Sequence, residues 1–181
     1  MAHSTLYIFS GLPGSGKTTL SQGLASRVGA AHLRIDTIEQ ALRDLCSLEV
    51  EGEGYRIAYR VASDVLRAGV SVTADSCNSI ALTRHEWERV AQESGASHVN
   101  IEVVCSDPVE HRRRVETRQS TVAGLRLPTW QDVLDREYDP WTGSRIVLDT
   151  AGRGPAACLD ALMEELGRRG RQDGADGATR T

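Results

Sequence analysis

The residues best suited to chemistry lie near the N-terminus, in segment 11–18, which reads Gly-Leu-Pro-Gly-Ser-Gly-Lys-Thr. This segment fits G-x-x-x-x-G-K-[ST], a glycine-rich loop whose backbone N–H groups surround phosphate oxygens. A buried strand is predicted before the loop and a helix after it, from an apolar β-branched run and from apolar residues four apart. A glycine-rich turn that matches by chance is the alternative, and these flanks disfavour it. The segment therefore predicts binding of a nucleoside triphosphate.

The residue types of the loop predict separate roles. Lys17 is expected to reach the β- and γ-phosphates, and the Thr18 hydroxyl is expected to bind Mg²⁺. The positive end of the following helix adds to the attraction for phosphate. The predicted nucleotide-binding set is Gly11, Gly14, Ser15, Gly16, Lys17, Thr18 and Thr19.

Three predicted strands end in an aspartate: Asp36, Asp75 and Asp149. In open parallel sheets, ligands bind beyond the carboxyl ends of the strands. Asp36 is the candidate base that takes the proton of an acceptor hydroxyl during phosphoryl transfer, with a helix N-cap as the alternative. Asp75 is a candidate Mg²⁺ ligand, direct or through water, with a turn former as the alternative. Asp149 is interpreted as a turn residue.

Arg114 and Arg118 are four residues apart on a predicted helix, and an irregular segment follows them at 119–129. Arginine suits contacts to phosphate oxygens and stabilises charge on a transferring phosphoryl group. The alternative is a solvated basic face paired with Glu110 and Glu116. Trp130, Tyr138, Pro140 and Trp141 lie nearby and are interpreted as packing residues rather than as an acceptor pocket.

The elements that position these residues alternate between strand and helix, which predicts parallel strands with helical crossovers. Predicted strands cover 4–10, 31–35, 70–74, 98–105 and 144–148, and a last helix covers about 154–168. Asp36 or Thr37 is the candidate cap of the helix after the second strand, and Thr129 is the candidate cap of a helix from Trp130 to about Tyr138, with Asp132 in a capping-box position. Residues 1–168 are predicted to form one domain. Residues 169–181 lack apolar periodicity and are predicted to be a disordered tail.

The composition limits the function classes. The 181 residues carry a formal net charge of −4, which disfavours a dedicated nucleic-acid binder. The four scattered cysteines and five histidines show no metal-ligand or disulfide spacing, and no apolar run is long enough to span a membrane. With no basic leader before the first strand, we expect a cytoplasmic protein.

These residues together resemble the small P-loop kinases of the AAA-33 or zeta-toxin-like group, whose relatives include polynucleotide kinase, chloramphenicol phosphotransferase and gluconate kinase. The resemblance covers residues 4–150 and rests on the loop at 11–18, Asp36, the segment 75–78, Arg114 and Arg118. It implies an α/β P-loop NTPase three-layer sandwich with a five-stranded parallel sheet, helices on both faces and a short arginine-bearing lid. It also implies that Asp36 is the general base, that Arg114 and Arg118 are lid arginines, and that Asp75 opens a D-N-x-N-like segment with Asn78 at its last position.

The sequence departs from the polynucleotide kinases at Glu39, where those enzymes often carry arginine, and at Ser76, where asparagine is common. The leading hypothesis is therefore an ATP- and Mg²⁺-dependent kinase that moves the γ-phosphate to a hydroxyl of a small molecule. Lys17, Asp36, Arg114 and Arg118 are its predicted catalytic residues. A polynucleotide 5′-hydroxyl kinase and an NTP-binding regulatory switch are the alternatives. The sequence identifies neither the acceptor nor the oligomeric state.

Overall fold

The computed structural model describes residues 4–178, with side chains for residues 4–171. Strands and helices alternate along this part of the chain. The strands are β1 (Thr5–Ser10), β2 (Ala31–Arg34), β3 (Val72–Asp75), β4 (Ser97–Val104) and β5 (Ile146–Asp149). The helices are α1 (Lys17–Val28), α2 (Ile35–Cys46), α3 (Glu53–Arg67), α4 (Ala81–Glu93), α5 (Pro108–Thr117), α6 (Trp130–Leu134) and α7 (Pro155–Ala178).

The five strands form one parallel sheet in the order β2-β3-β1-β4-β5. The register places Phe9 of β1 opposite Asp75 of β3, and Asp75 opposite Arg34 of β2. The carboxyl ends of these three strands therefore meet at one edge of the sheet. This edge receives both the glycine-rich loop after β1 and the acidic residues predicted to act with it.

Alternation along β1 sends neighbouring side chains to opposite faces of the sheet. Leu6 and Ile8 pack with residues of α3 and α4, among them Leu66 and Trp87. Phe9 packs on the other face with residues of α1 and α7, such as Leu24 and Leu162. The two buried clusters confirm the predicted three-layer α/β sandwich with helices on both faces of a parallel sheet.

Local sequence signals begin two of the helices near the candidate site. The Asp107 side chain accepts hydrogen bonds from the backbone N–H of Val109 (2.9 Å) and Glu110 (3.1 Å), and Pro108 occupies the first turn of α5. Thr129 and Asp132 form the predicted capping box at the start of α6. The segment 118–129 between these helices is the short arginine-bearing lid.

Several element ends differ from the sequence prediction. Helix α2 begins at Ile35, and its N-cap is Arg34 in an extended conformation, so neither Asp36 nor Thr37 caps it. Helix α6 ends at Leu134 rather than near Tyr138. Helix α7 continues past Arg168 to Ala178, through most of the segment predicted to be disordered, while 179–181 lie outside the described residues. Among the described residues, no helix combines the length and the apolar character that crossing a membrane requires.

Candidate functional site

The glycine-rich loop connects β1 to α1 and has the backbone that its glycines predict. Gly14 and Gly16 have φ angles of 84° and 102°, in the left-handed region that favours glycine. A Cβ atom at Gly14 would lie 2.5 Å from Val115 Cγ2, so there is no room for a side chain there. Lys17 and Thr18 follow in the first turn of α1, both partly buried. The loop thus presents backbone N–H groups and the Lys17 side chain at one end of the sheet.

Distant residues hold the glycine-rich loop from three sides. The Thr150 hydroxyl donates to the Ser15 carbonyl oxygen (2.8 Å), and His111 Nε2 donates to the Pro13 carbonyl oxygen (2.8 Å). The Gly11 N–H donates to the Cys77 carbonyl oxygen (3.0 Å). Sequence reasoning missed Thr150 and His111, because a threonine after a strand and a histidine on a helix carry no local signal for this role.

Lys17, Asp36 and Arg118 line one cavity of about 480 Å³, which we call the Asp36 cavity. Three of the four predicted catalytic residues therefore come together, from α1, from the first turn of α2 and from the end of α5. The lid forms another wall through Gly124 and the residues that follow it. A lysine, a carboxylate and an arginine around one space suit the transfer of a phosphoryl group to a bound hydroxyl.

The Asp36 carboxylate is half exposed, at 51%, and lies 3.4 Å from Arg34 Nη2. Within the described residues, the Asp36 carboxylate accepts no hydrogen bond from the backbone of α2. The alternative interpretation of Asp36 as a helix cap is therefore wrong. The carboxylate remains accessible from the Asp36 cavity. This geometry is compatible with a base that contacts a bound hydroxyl.

Arg118 lies just beyond the end of α5, with an extended backbone. Its Nε is buried and has no hydrogen-bond partner among the described residues. Burial lowers the pKa of the Arg118 guanidinium, and the nearby Asp36 carboxylate opposes that effect. A partly desolvated guanidinium that lines the same cavity as Lys17 attracts an anion, since no carboxylate of the described residues forms a direct ion pair with it.

Arg114 lies apart from Arg118, although the two are four residues apart. It lines a separate cavity of about 300 Å³ with Gly14, Gly16, Thr19 and Thr150, which we call the Thr150 cavity. Its guanidinium donates to Glu110 (2.7 Å), to the Thr150 hydroxyl (2.8 Å) and to the Thr150 carbonyl oxygen (2.9 Å). The predicted alternative, pairing with Glu110, is thus present in the structure. Contact of Arg114 with phosphate stays a prediction.

Asp75 lies at the end of β3 and is 3% exposed. Both of its carboxylate oxygens are buried and lack hydrogen-bond partners among the described residues. The nearest basic groups, His32 Nε2 and Arg34 Nε, are each 3.9 Å from Oδ2, which is beyond hydrogen-bond distance. Burial lowers the pKa of His32, and Asp75 opposes this effect. Asp75 therefore keeps its lone pairs free for a further ligand.

The residues around Asp75 fit a hydrated Mg²⁺ ion. The hydroxyl oxygens of Ser10, Ser15 and Ser76 are also buried without hydrogen-bond partners in the described part of the chain. Mg²⁺ prefers oxygen ligands and usually keeps several water molecules. No group of three acidic, histidine or cysteine side chains that could hold a metal occurs among the described residues. An ion here would take most of its ligands from phosphate and water, and Thr18 and Asp75 remain its predicted protein ligands.

The loop after β3 is fixed by Arg84, a third residue that sequence reasoning missed. Arg84 is 3% exposed and donates to the carbonyl oxygens of Asn78 (2.8 Å), Ser79 (3.0 Å) and Asp139 (3.0 Å). Its guanidinium also lies 4.2 Å from the ring centroid of Trp141 and 4.9 Å from that of Tyr138. The aromatic residues after α6 thus pack against Arg84, as the packing interpretation predicts, and join segment 138–141 to the strand-end loop.

The fold and this site define the class of protein. The chain belongs to the AAA_33 family, described as an AAA domain, whose profile matches residues 6–136. Its architecture is that of P-loop kinases, as the sequence resemblance implied. The chain is thus a kinase-like P-loop protein.

Individual relatives make the likeness more specific. An adenylyl-sulfate kinase of Synechococcus sp. (strain JA-3-3Ab) is 31% identical over 173 residues, which cover 90% of this chain and 93% of the relative. An APS kinase of Mycobacterium tuberculosis, solved in complex with AMPPNP and APS, superposes with a TM-score of 0.67 at 18% identity and covers 92% of this chain and 99% of its own. A sugar kinase from Janibacter sp. HTCC2649 superposes with a TM-score of 0.66 at 18% identity, and the match covers 90% of this chain and 94% of the sugar kinase. The adenylyl-sulfate kinase relative supports a phosphotransferase, and the two solved structures show the same fold.

Proposed function

We propose that this protein is an ATP-dependent kinase that moves the γ-phosphate of ATP to a hydroxyl group of a small molecule. The observation that carries the proposal is the convergence of Lys17, Asp36 and Arg118 on one cavity beside the glycine-rich loop. The loop alone accounts for triphosphate binding. A half-exposed carboxylate opposite it adds a group that can receive a proton from an acceptor.

In the proposed reaction, the loop N–H groups and Lys17 hold the triphosphate, and the Asp36 carboxylate accepts a hydrogen bond from the acceptor hydroxyl. The hydroxyl oxygen attacks the γ-phosphorus while the bond from that phosphorus to the β–γ bridging oxygen breaks. Asp36 takes the hydroxyl proton, and ADP leaves with the bridging oxygen. Arg118 neutralises charge on the moving phosphoryl group. Mg²⁺ bound near Thr18 and Asp75 would offset the charge of the phosphate oxygens.

The experiment that tests this proposal compares Asp36→Asn with Asp64→Asn. Asp64 is an exposed aspartate on α3 that lines neither the Asp36 cavity nor the Thr150 cavity. The purified protein is incubated with γ-labelled ATP and the small-molecule fraction of a cell extract, and labelled products are separated and identified by mass. We expect Asp36→Asn to lower the transfer rate by about 10²–10⁴-fold, because loss of a general base has that effect. ATP affinity should stay within about twofold.

Equal transfer rates for Asp36→Asn and the wild type would show that Asp36 is not the base. Absence of any labelled product, with ATP binding intact, would favour a regulatory NTP-binding switch. A 5′-hydroxyl oligonucleotide is included as a separate acceptor, and its labelling would favour a polynucleotide kinase.

Adenylyl sulfate is the first defined acceptor to test, because the relative named adenylyl-sulfate kinase is 31% identical to this chain over most of both sequences. Basic side chains outnumber carboxylates in the lining of the Asp36 cavity. The basic residues are Lys17, Arg43, Arg118, Arg126 and Arg136, and the acidic ones are Asp36 and Glu39. This excess of positive charge suits an anionic acceptor such as a nucleotide sulfate. Phosphorylation of adenylyl sulfate at a rate far above that of the extract compounds would assign this activity to the chain.

A further inference from the structure

A larger cavity adjoins the Asp36 cavity on the side away from the glycine-rich loop. It has a volume of about 950 Å³ and lies between α3 and α4, so we call it the α3–α4 cavity. Glu39, Tyr55, Cys77 and Arg136 line both cavities. A molecule bound at Asp36 can therefore extend past these four residues into the α3–α4 cavity.

The walls of the α3–α4 cavity combine charged side chains with an aromatic and apolar part. Tyr55 and Tyr59 lie one turn apart on α3, and their ring centroids are 6.1 Å apart. Ile80 and Leu82 form the opposite wall, and Leu82 is 64% exposed. A ring or an aliphatic chain that packs on this exposed leucine and the two tyrosines removes apolar surface from water, which lowers the free energy of binding.

The charged residues of the α3–α4 cavity are partly paired with one another. Arg89 forms ion pairs with Glu86 and with Glu93 (3.8 Å), all three from α4. These pairs neutralise much of the charge along the α4 wall. The apolar residues of that wall are Ile80, Leu82 and Val90.

The residues shared by the two cavities are polar and can orient a ligand that passes between them. The Tyr55 hydroxyl accepts a hydrogen bond from the Asn78 N–H (3.4 Å), and burial raises the pKa of Tyr55, so the hydroxyl keeps its proton as a donor. Burial also raises the pKa of Glu39, against the effect of Arg43. Arg136 has no ion pair within the described residues and is free to bind a ligand oxygen.

We propose that the α3–α4 cavity binds the body of the phosphate acceptor, which is a hydroxylated molecule larger than a hexose with an aromatic or aliphatic part. This inference rests on the proposed function. The reacting hydroxyl lies at Asp36, polar groups contact Glu39, Tyr55 and Arg136, and the apolar part packs on Tyr59 and Leu82. Ligand pockets for molecules of this size have volumes of about 300–1,000 Å³, and a hexose at Asp36 would leave the α3–α4 cavity unused.

The test compares Leu82→Arg with Leu134→Arg in the full chain. Both leucines are exposed, 64% and 58%, and Leu134 lies at the end of α6 outside both cavities. Each variant is incubated with γ-labelled ATP and the small-molecule fraction of a cell extract. The acceptor is then identified from the mass of the labelled product. We expect an acceptor heavier than a hexose. Leu82→Arg should raise the KM for that acceptor at least tenfold and leave the KM for ATP unchanged, whereas Leu134→Arg should change neither.

The inference is overturned by a labelled acceptor of hexose size or smaller, or by an unchanged acceptor KM in Leu82→Arg. Either result leaves the proposed kinase activity intact. If no product is labelled by the wild-type protein under any condition, the proposed function fails and the acceptor inference fails with it. The two failures are therefore distinguished by whether the wild type forms product.

Discussion

Two aspartates that look alike in the sequence have opposite surroundings in the structure. Asp75 and Asp149 each end an apolar strand. Asp149 Oδ1 accepts hydrogen bonds from the N–H groups of Ser106 and Ala151, both at 3.0 Å, and Oδ2 accepts from the Ser106 hydroxyl. Asp75 accepts none within the described residues. The satisfied carboxylate is the turn residue that the sequence predicts, and the unsatisfied one is the candidate for binding a ligand.

The hydrogen bonds of Asp149 give a testable dependence of stability on pH. The Ser106 hydroxyl and then the Ala151 N–H lower the pKa of Asp149 in the folded state. A lowered folded pKa means that the carboxylate stabilises the fold above the unfolded pKa of about 3.9, and that this contribution is lost as pH falls through the folded pKa. We expect Asp149→Asn to lower the free energy of unfolding by about 1–2 kcal/mol at pH 7.

Urea unfolding of the wild type and Asp149→Asn at pH 7, 5 and 3 measures this effect. The difference should persist at pH 5 and shrink below pH about 4. Asp160→Asn is the control, because Asp160 forms an exposed ion pair with Arg27 (2.7 Å), and such pairs contribute less than about 1 kcal/mol. If Asp149→Asn lowered the free energy of unfolding by the same amount at pH 7 and at pH 3, the ionised Asp149 carboxylate would not be what stabilises the fold.

At the scale of the elements, periodicity predicted the strands, the helices and the parallel sheet, because these depend on residues close in sequence. The glycine-rich loop and the Thr129–Asp132 capping box were predicted for the same reason. The strand order β2-β3-β1-β4-β5 and the loop contacts of Thr150 and His111 were not predicted. The Thr150 contact joins two residues that are 135 positions apart in the sequence, and the His111 contact joins two that are 98 positions apart. No local sequence pattern encodes contacts between residues so far apart.

Arg84 shows how one side chain joins two irregular elements that border the candidate acceptor region. Its planar guanidinium donates to carbonyl oxygens of segment 78–79 and of Asp139 while stacking on Trp141. A lysine keeps the positive charge but lacks the planar fork, so it leaves buried carbonyl oxygens without donors. We expect Arg84→Lys to lower the free energy of unfolding by about 2–3 kcal/mol.

Urea denaturation measures that loss, and Arg89→Lys on the same helix is the control. Arg89 is exposed, and its ion pairs with Glu86 and Glu93 predict a change below about 0.5 kcal/mol. If Arg84→Lys were as stable as Arg89→Lys, Arg84 would not be what holds the two loops together.

At the scale of the whole molecule, the two halves of the sheet carry different parts of the site. The Thr150 cavity borders the glycine-rich loop and the end of β5, on the side of β4 and β5. The Asp36 and α3–α4 cavities lie beside α2 and α3, on the side of β2 and β3. The lid begins at the end of α5 and reaches β2, where Arg34 Nη1 donates to the hydroxyl of Thr121 in the lid (2.8 Å). Nucleotide and acceptor are thus expected to occupy separate surfaces that meet at Lys17 and Arg118.

This separation predicts how ATP changes the stability of the whole chain. A ligand at 100 times its Kd stabilises the folded state by about 2.7 kcal/mol. For a chain of this size the corresponding rise in Tm is about 5–11 °C. We expect ATP with Mg²⁺ to produce such a shift, and we expect Lys17→Ala to lose most of it, because the lysine contacts the β- and γ-phosphates in the predicted complex.

Differential scanning calorimetry at matched ATP concentrations measures the shift, and Leu82→Arg separates the two halves of the molecule. Leu82 lines the α3–α4 cavity, which shares no lining residue with the Thr150 cavity on the nucleotide side. The full rise in Tm on ATP binding should therefore remain in Leu82→Arg. A full shift in Lys17→Ala would contradict triphosphate binding at the glycine-rich loop. Loss of the shift in Leu82→Arg would mean that the nucleotide extends between α3 and α4, and the division of the sheet into a donor half and an acceptor half would then be wrong.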